Sequence, residues 1–92
     1  MSAPLPVTLH FNATVTVLPK EGVLDPEGQA IERALKGLGF SEVETVHAGK
    51  VITLSLTAAD RAEAERRVRE MAERLLANPI IQRYTLRIEE SA

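Results

Sequence analysis

From Val7 to Val17 apolar and polar residues alternate without a break. Val7, Leu9, Phe11, Ala13, Val15 and Val17 fall on one side, and Thr8, His10, Asn12, Thr14 and Thr16 on the other. A period of two over this length defines a strand with one buried face and does not fit a helix. At about 3.3 Å per residue the run could reach roughly 40 Å. It therefore either bends in its first half or extends past its sheet to meet another chain. Leu18-Pro19 ends it, because proline has no N–H to give a central ladder. In a chain of 92 residues every other element must be placed around this strand.

The next stretch, Lys20–Phe40, reads as a loop leading into a helix. Asp25 is a suitable N-cap, since a short carboxylate can accept from the unpaired amides of the first turn. Pro26 suits the first helical position, and Glu27 adds negative charge at the positive end of the helix dipole. Ile31, Ala34, Leu35 and Leu38 then recur at helical spacing and give one apolar stripe. Gly39 is placed to act as a left-handed C′ residue, with Phe40 folding back on the last turn. Gly28 in the first turn could admit another backbone or an anion, or it could be an innocuous small residue.

Ser41–His47 reads as a second strand anchored by Val43 and Val46, and Val51–Leu56 as a third with Ile52, Leu54 and Leu56 on one face. The short Ala48-Gly49-Lys50 connection makes the two an antiparallel hairpin. Thr57 and Asp60 are rival N-caps for a second helix. That helix places Ala64, Val68, Met71, Ala72 and Leu75 inward and carries Glu63–Arg67, Glu65–Arg69 and Glu70–Arg74 pairs outward. Asn78-Pro79 stops it. Ile80–Glu90 is the last strand, with Tyr84, Leu86 and Ile88 inward.

The order β-α-β-β-α-β predicts an α+β fold: a ferredoxin-like, four-stranded antiparallel sheet with two helices on one face. The first and third strands lie side by side in its centre. Met1–Pro6 is expected to be a flexible tail and residues 7–92 a single domain. The uncovered face, with Thr8, His10, Asn12, Thr14, Thr16, Ser55, Thr85 and Arg87, could be solvated or could stack on another sheet. A half-covered sheet and a long strand favour self-association.

Chemistry is sparse. The chain has no cysteine, which removes disulfides, thiolate metal sites and thiol nucleophiles. A net charge of −2 gives no electrostatic case for nucleic acid. No apolar run approaches the roughly 20 residues that span a bilayer, and the N-terminus has no signal-peptide anatomy, so a cytoplasmic location is expected. His10 and His47 lie in different segments without a carboxylate at motif spacing and read as surface residues. The glycines form neither a dinucleotide fingerprint nor a P-loop. An RNA-recognition domain on this topology needs aromatics on its central strands, where this chain has threonine, histidine, asparagine and serine. A metal chaperone would need paired cysteines, and an acylphosphatase an arginine after the first strand; neither is present. No catalytic, cofactor-binding or metal-binding residue is expected. A dimeric ligand-sensing regulatory domain of similar topology is compatible with the residues.

Lys20–Gly28, K-E-x-V-L-D-P-x-G, followed by a helix ending in L-G-F, resembles the PurS family. Leu75–Pro79, L-L-A-N-P, Glu42-Val43 and the Gly49-Lys50 turn match its pattern in register. The resemblance covers roughly His10 to Glu90, and Met1–Leu9 extends beyond the usual family start. It implies a non-catalytic small subunit of phosphoribosylformylglycinamidine (FGAM) synthase, in purine biosynthesis. The implied partners are a PurL-like synthetase, which uses ATP and Mg, a PurQ-like glutaminase, and further copies of the chain. The exposed, distinctive loop carrying Lys20, Glu21, Val23, Leu24 and Glu27 is the expected partner contact. The rival reading is that this motif only stabilises the start of the helix.

Overall fold

A computed structural model describes residues 8–91. The order is β1 (Leu9–Pro19), α1 (Pro26–Gly37), β2 (Lys50–Ala58), α2 (Arg61–Met71), a π-helical turn (Ala72–Leu76) and β3 (Gln82–Glu90). The fold is α+β, with two helices and a three-stranded antiparallel sheet in the order β2-β1-β3. The expected tail Met1–Pro6, and Val7 at the head of the first strand, lie outside the described residues.

The alternation in β1 sets the core. Phe11, Ala13, Val15 and Val17 are each at most 1% exposed, because both neighbours flank them and α2 lies above. The two pairings are staggered. β2 runs from Leu9↔Ala58 to Val17↔Lys50, and β3 from Phe11↔Glu90 to Pro19↔Gln82. Together they cover β1 from Leu9 to Pro19, so among the described residues the strand does not project past its sheet. The central β1–β2 pairing is the one expected between the first strand and Val51–Leu56.

α2 is fixed by Asp60, whose carboxylate accepts from the Glu63 amide at 2.8 Å; Thr57 lies within β2 and is not the cap. Ala64, Val68 and Ala72 are fully buried against the sheet. Two of the expected ion pairs form, Glu65–Arg69 at 3.0 Å and Glu70–Arg74 at 3.3 Å. Arg67 instead pairs with Glu70 at 3.3 Å. The inward placement of Leu75 is corrected: it is 82% exposed, and Leu76 packs on the core instead. The π turn explains the exchange. Its bond from the Ala77 amide to the Ala72 carbonyl, at 2.9 Å, widens the last turn and shifts the helical phase.

The four-stranded, two-helices-on-one-face arrangement is corrected in two respects. Ser41–His47 forms no strand, so no hairpin runs through Ala48–Lys50. The Ala48 amide donates to the Asp25 carboxylate at 2.9 Å rather than to a ladder, and the Val43 amide to the Phe40 carbonyl at 3.3 Å. Second, α1 does not lie on the sheet. It packs appreciably against no other element, and Ile31, Leu38 and Phe40 are 40%, 74% and 48% exposed. The molecule is 72 Å long with a radius of gyration of 18.8 Å; a compact domain of this length has about 12 Å. α1 is nevertheless well closed. Gly39, at φ +99°, lets the Phe40 amide reach the Leu35 carbonyl and its own amide the Lys36 carbonyl, a Schellman ending.

Candidate partner-binding surface

The loop between β1 and α1 is built from both ends. At its start the Lys20 amide donates to the Ile81 carbonyl at 3.0 Å, which carries the β1–β3 pairing past Pro19. The Lys20 ammonium donates to the Pro79 carbonyl at 2.6 Å. At the other end Asp25 caps α1, with Oδ1 accepting from the Gly28 amide at 3.0 Å and Oδ2 from Ala48. These two amides hold the Asp25 carboxyl below the usual range, the Ala48 bond having the largest effect, and His47 adds to it. One carboxylate thus fastens the outgoing and returning ends of the α1 arm together.

Gly28 is the only described α1 residue that is buried. A Cβ there would collide with the Asp25 carboxylate and the Val46 carbonyl. Of the two sequence readings, close approach of a backbone is the one realised.

Among the expected contact residues, Lys20, Glu21, Leu24 and Glu27 are exposed and Val23 is half-buried. Leu24 is 70% exposed. The structure places Lys20 against the 79–81 segment, whereas Glu27 stands on the first turn of α1. Ile80 and Ile81, at 80% and 42% exposure, were not singled out from the sequence. The sequence places them in the last strand, whereas β3 begins only at Gln82. Two adjacent isoleucines directly after Asn-Pro, outside any alternation, were the available signal.

His47 has a neighbour that spacing did not reveal: its Nδ1 is 3.6 Å from Asp25 Oδ2. The carboxylate is already occupied by two backbone amides, which suits a fastening rather than a proton relay. Among the described residues no group of three or more His, Asp or Glu side chains could hold a metal ion, and no helix is long and apolar enough to cross a membrane.

Exposed apolar side chains on the α1 arm and its loop mark a small α+β chain with much apolar surface left uncovered among the described residues. Residues 12–90 match the family described as PurS, phosphoribosylformylglycinamidine (FGAM) synthase. The PurS subunit of FGAM synthase from Archaeoglobus fulgidus is 50% identical over 74 residues, 80% of this chain and 92% of that protein. The structure of Bacillus subtilis PurS matches at 40% identity with a TM-score of 0.78, covering 87% of this chain and 99% of that one. A chain in the structure of PurLQS from Thermotoga maritima matches at 31% identity with a TM-score of 0.79, covering 87% and 98%. The chain belongs to the PurS family and is a subunit of FGAM synthase, a glutamine-dependent ligase complex of purine biosynthesis.

Proposed function

We propose that this chain is the non-catalytic assembly subunit of its complex, bridging a PurQ-like glutaminase and a PurL-like synthetase and assisting ammonia transfer between them. The observation that carries the proposal is the match to a chain within PurLQS, joined to an exposed, rigidly held surface. In this reading ATP and Mg are used by the synthetase partner, this chain holds no cofactor, and the complex works in the cytoplasm. Ammonia protonates readily in water and ammonium is not a nucleophile, so a sealed interface preserves the reactive form. An adaptor holding two active sites together also raises the effective concentration of the transferred group. Lys20, Glu21, Val23, Leu24 and Glu27 supply the contact, with Ile80 and Ile81 beside Lys20.

Residues 7–92 act as one domain, and the domain works as a homo-oligomer. The apolar stripe of α1 lacks a partner among the described residues, while Ile52, Leu54 and Leu56 on β2 are only half covered. A second copy satisfies both, its α1 lying over the β2 side of the sheet. The ferredoxin-like arrangement, with two helices on one face and Ser41–His47 as a fourth strand, is then reached only in the assembly.

The test is glutamine-dependent formation of formylglycinamidine ribonucleotide by the purified synthetase and glutaminase, with and without this chain. A requirement for it with glutamine, and little effect on ammonia-driven turnover, is the expected result. No effect in either assay overturns the proposal.

A further inference from the structure

The core and α2 lie on one face of the sheet. On the other face Asn12, Val51, Thr53 and Ser55 are exposed, and Thr14 and Thr16 half-buried. From residue 10 to 18 on β1 and from 51 to 57 on β2 there is no Asp, Glu, Lys or Arg, in a chain that is 26% charged. A surface left to water ordinarily mixes such charges throughout. Threonine and valine are β-branched and pack well on a pleated surface, as in stacked sheets.

The ladder fixes where the remaining groups of this face stand. On β3, Arg83 lies beside Leu18 and Glu89 beside Asn12, three residues to either side of Val15. Opposite charges therefore sit at the two ends of the face. Glu89 holds Arg87 at 2.6 Å, whereas Arg83 has no carboxylate partner among the described residues. At the Glu89 end a hollow of about 270 Å³ opens between Asn12, Thr14, Thr53 and Ser55. The Ser55 hydroxyl donates to the Asn12 side chain at 3.0 Å, so the floor of the hollow is bonded within itself. At the Arg83 end, at the mirrored positions of the ladder, stand Leu18 and Val51, the latter 64% exposed.

We propose that this face stacks on the same face of a second copy, about a two-fold axis that crosses the strands over Val15. Such an axis lays each end of one face on the opposite end of the other. Arg83 then meets the second copy's Glu89, and Leu18 and Val51 enter the second copy's hollow. Every contact occurs twice, as a two-fold interface requires. Stacked sheets lie about 10 Å apart, a gap that an arginine and a glutamate close together. Strands of nine residues give a face of roughly 30 Å by 14 Å, about 400 Å² a side. That is small for a permanent interface, so the stack is weak and depends on concentration. It goes beyond the assembly reading, whose association through α1 uses the opposite face of the sheet.

The test is sedimentation equilibrium of the full chain over a range of concentrations, with and without Ile31→Ser and Leu38→Ser, which remove the α1 association. In that double variant the mass should still rise with concentration from one chain toward two. Adding Thr14→Lys, which places a charge in the middle of the stack, should hold it at one chain. Thr53→Lys serves if that variant does not fold, as judged by circular dichroism. Arg66→Glu, on the exposed side of α2, should change nothing. Charge reversal gives the sharpest outcome. Arg83→Glu and Glu89→Arg should each abolish association alone, because like charges then meet, while an equal mixture of the two chains should associate. A mass that does not rise with concentration, no effect of the lysine, or a mixture that stays apart would each overturn the stack. None of these results bears on the glutamine assay or on the α1 contact.

Discussion

Asp25 and Ala48 are joined across the α1 arm: the carboxylate Oδ2 accepts the Ala48 amide at 2.9 Å, while Oδ1 of the same group caps the helix. A helix that packs appreciably on no other element among the described residues is tied at its base by this side chain. The arrangement ties a cap, which is a local device, to the return of the chain.

Replacing Asp25 should therefore loosen two places at once. Asp25→Ala removes the acceptor for both amides, and hydrogen exchange should accelerate at Gly28 and Ala48 together. Glu63, capped independently by Asp60, should keep its protection. Acceleration at Gly28 alone would show that the arm is not fastened through this residue.

The same group sets an acid sensitivity. Its folded-state pKa lies below the ordinary 3.8, first because of the Ala48 and Gly28 amides and then because of His47. A depressed carboxyl pKa gives stabilisation that is fully present above the unfolded value and lost as pH falls through the folded one. The Gly28 and Ala48 amide shifts should thus titrate below pH 3.8, the ordinary value. His47, whose ring is 3.6 Å away, is the titratable neighbour; His47→Gln should move the midpoint up toward that value, and Asp25→Asn should abolish the transition.

Two glycines of α1 should respond in opposite directions. By helix propensity alone, alanine is better than glycine by about 1 kcal/mol. Gly37 has nothing within 4 Å of where a Cβ would stand, so Gly37→Ala should stabilise by about 0.5–1 kcal/mol. Gly28→Ala should instead destabilise by about 1–3 kcal/mol through overpacking against Asp25 and Val46. Urea denaturation of the two variants gives the comparison, and a stabilising Gly28→Ala would contradict the close approach described.

These contrasts show what was legible in the sequence. Elements whose signal is local were recoverable: the alternation of β1, the Asp25 cap, the Gly39 ending and the inward faces of β2 and β3 all stand, while of the rival caps Thr57 and Asp60 the structure selects Asp60. Features that depend on phase or on distant partners were not. Leu75 sits at helical spacing from Val68, and only the π turn, invisible to periodicity, puts Leu76 in its place. Val43 and Val46 suggested a strand, yet the Ala48 amide is taken by a carboxylate far away in sequence. The Asp25–His47 proximity and the Lys20–Pro79 contact likewise join segments that no spacing rule connects. The apolar stripe of α1 was read correctly as a stripe, but a pattern shows that a face is apolar and not which chain covers it.

The core and the arm should separate in their energetics. Phe11 is 1% exposed, and Phe11→Ala should cost about 3–5 kcal/mol. Ile31→Ser and Leu38→Ser sit on the free stripe of α1 and should leave the fold of the chain intact while lowering its mass in sedimentation equilibrium. Retention of the parent mass by the double variant would remove α1 from the homo-oligomer interface.

Leu24 and Glu27 offer the sharpest test of the loop. Both are exposed, they sit on either side of the Asp25 cap, and neither accepts a capping bond, so their loss should leave the isolated chain folded. Leu24→Ser combined with Glu27→Gln should leave its circular dichroism unchanged and cost no more than the helix-dipole interaction of Glu27, about 0.3–1 kcal/mol. The double variant should weaken association with the glutaminase and synthetase about tenfold, the scale of losing a moderate interface contact. Ile80→Ser, beside Lys20 but outside the loop, would report whether the contact extends onto the 79–81 segment. If the double variant sediments with its partners as the parent does, the motif serves only to start α1. The docking surface must then lie elsewhere, with the exposed Ile80 and Ile81 next in line.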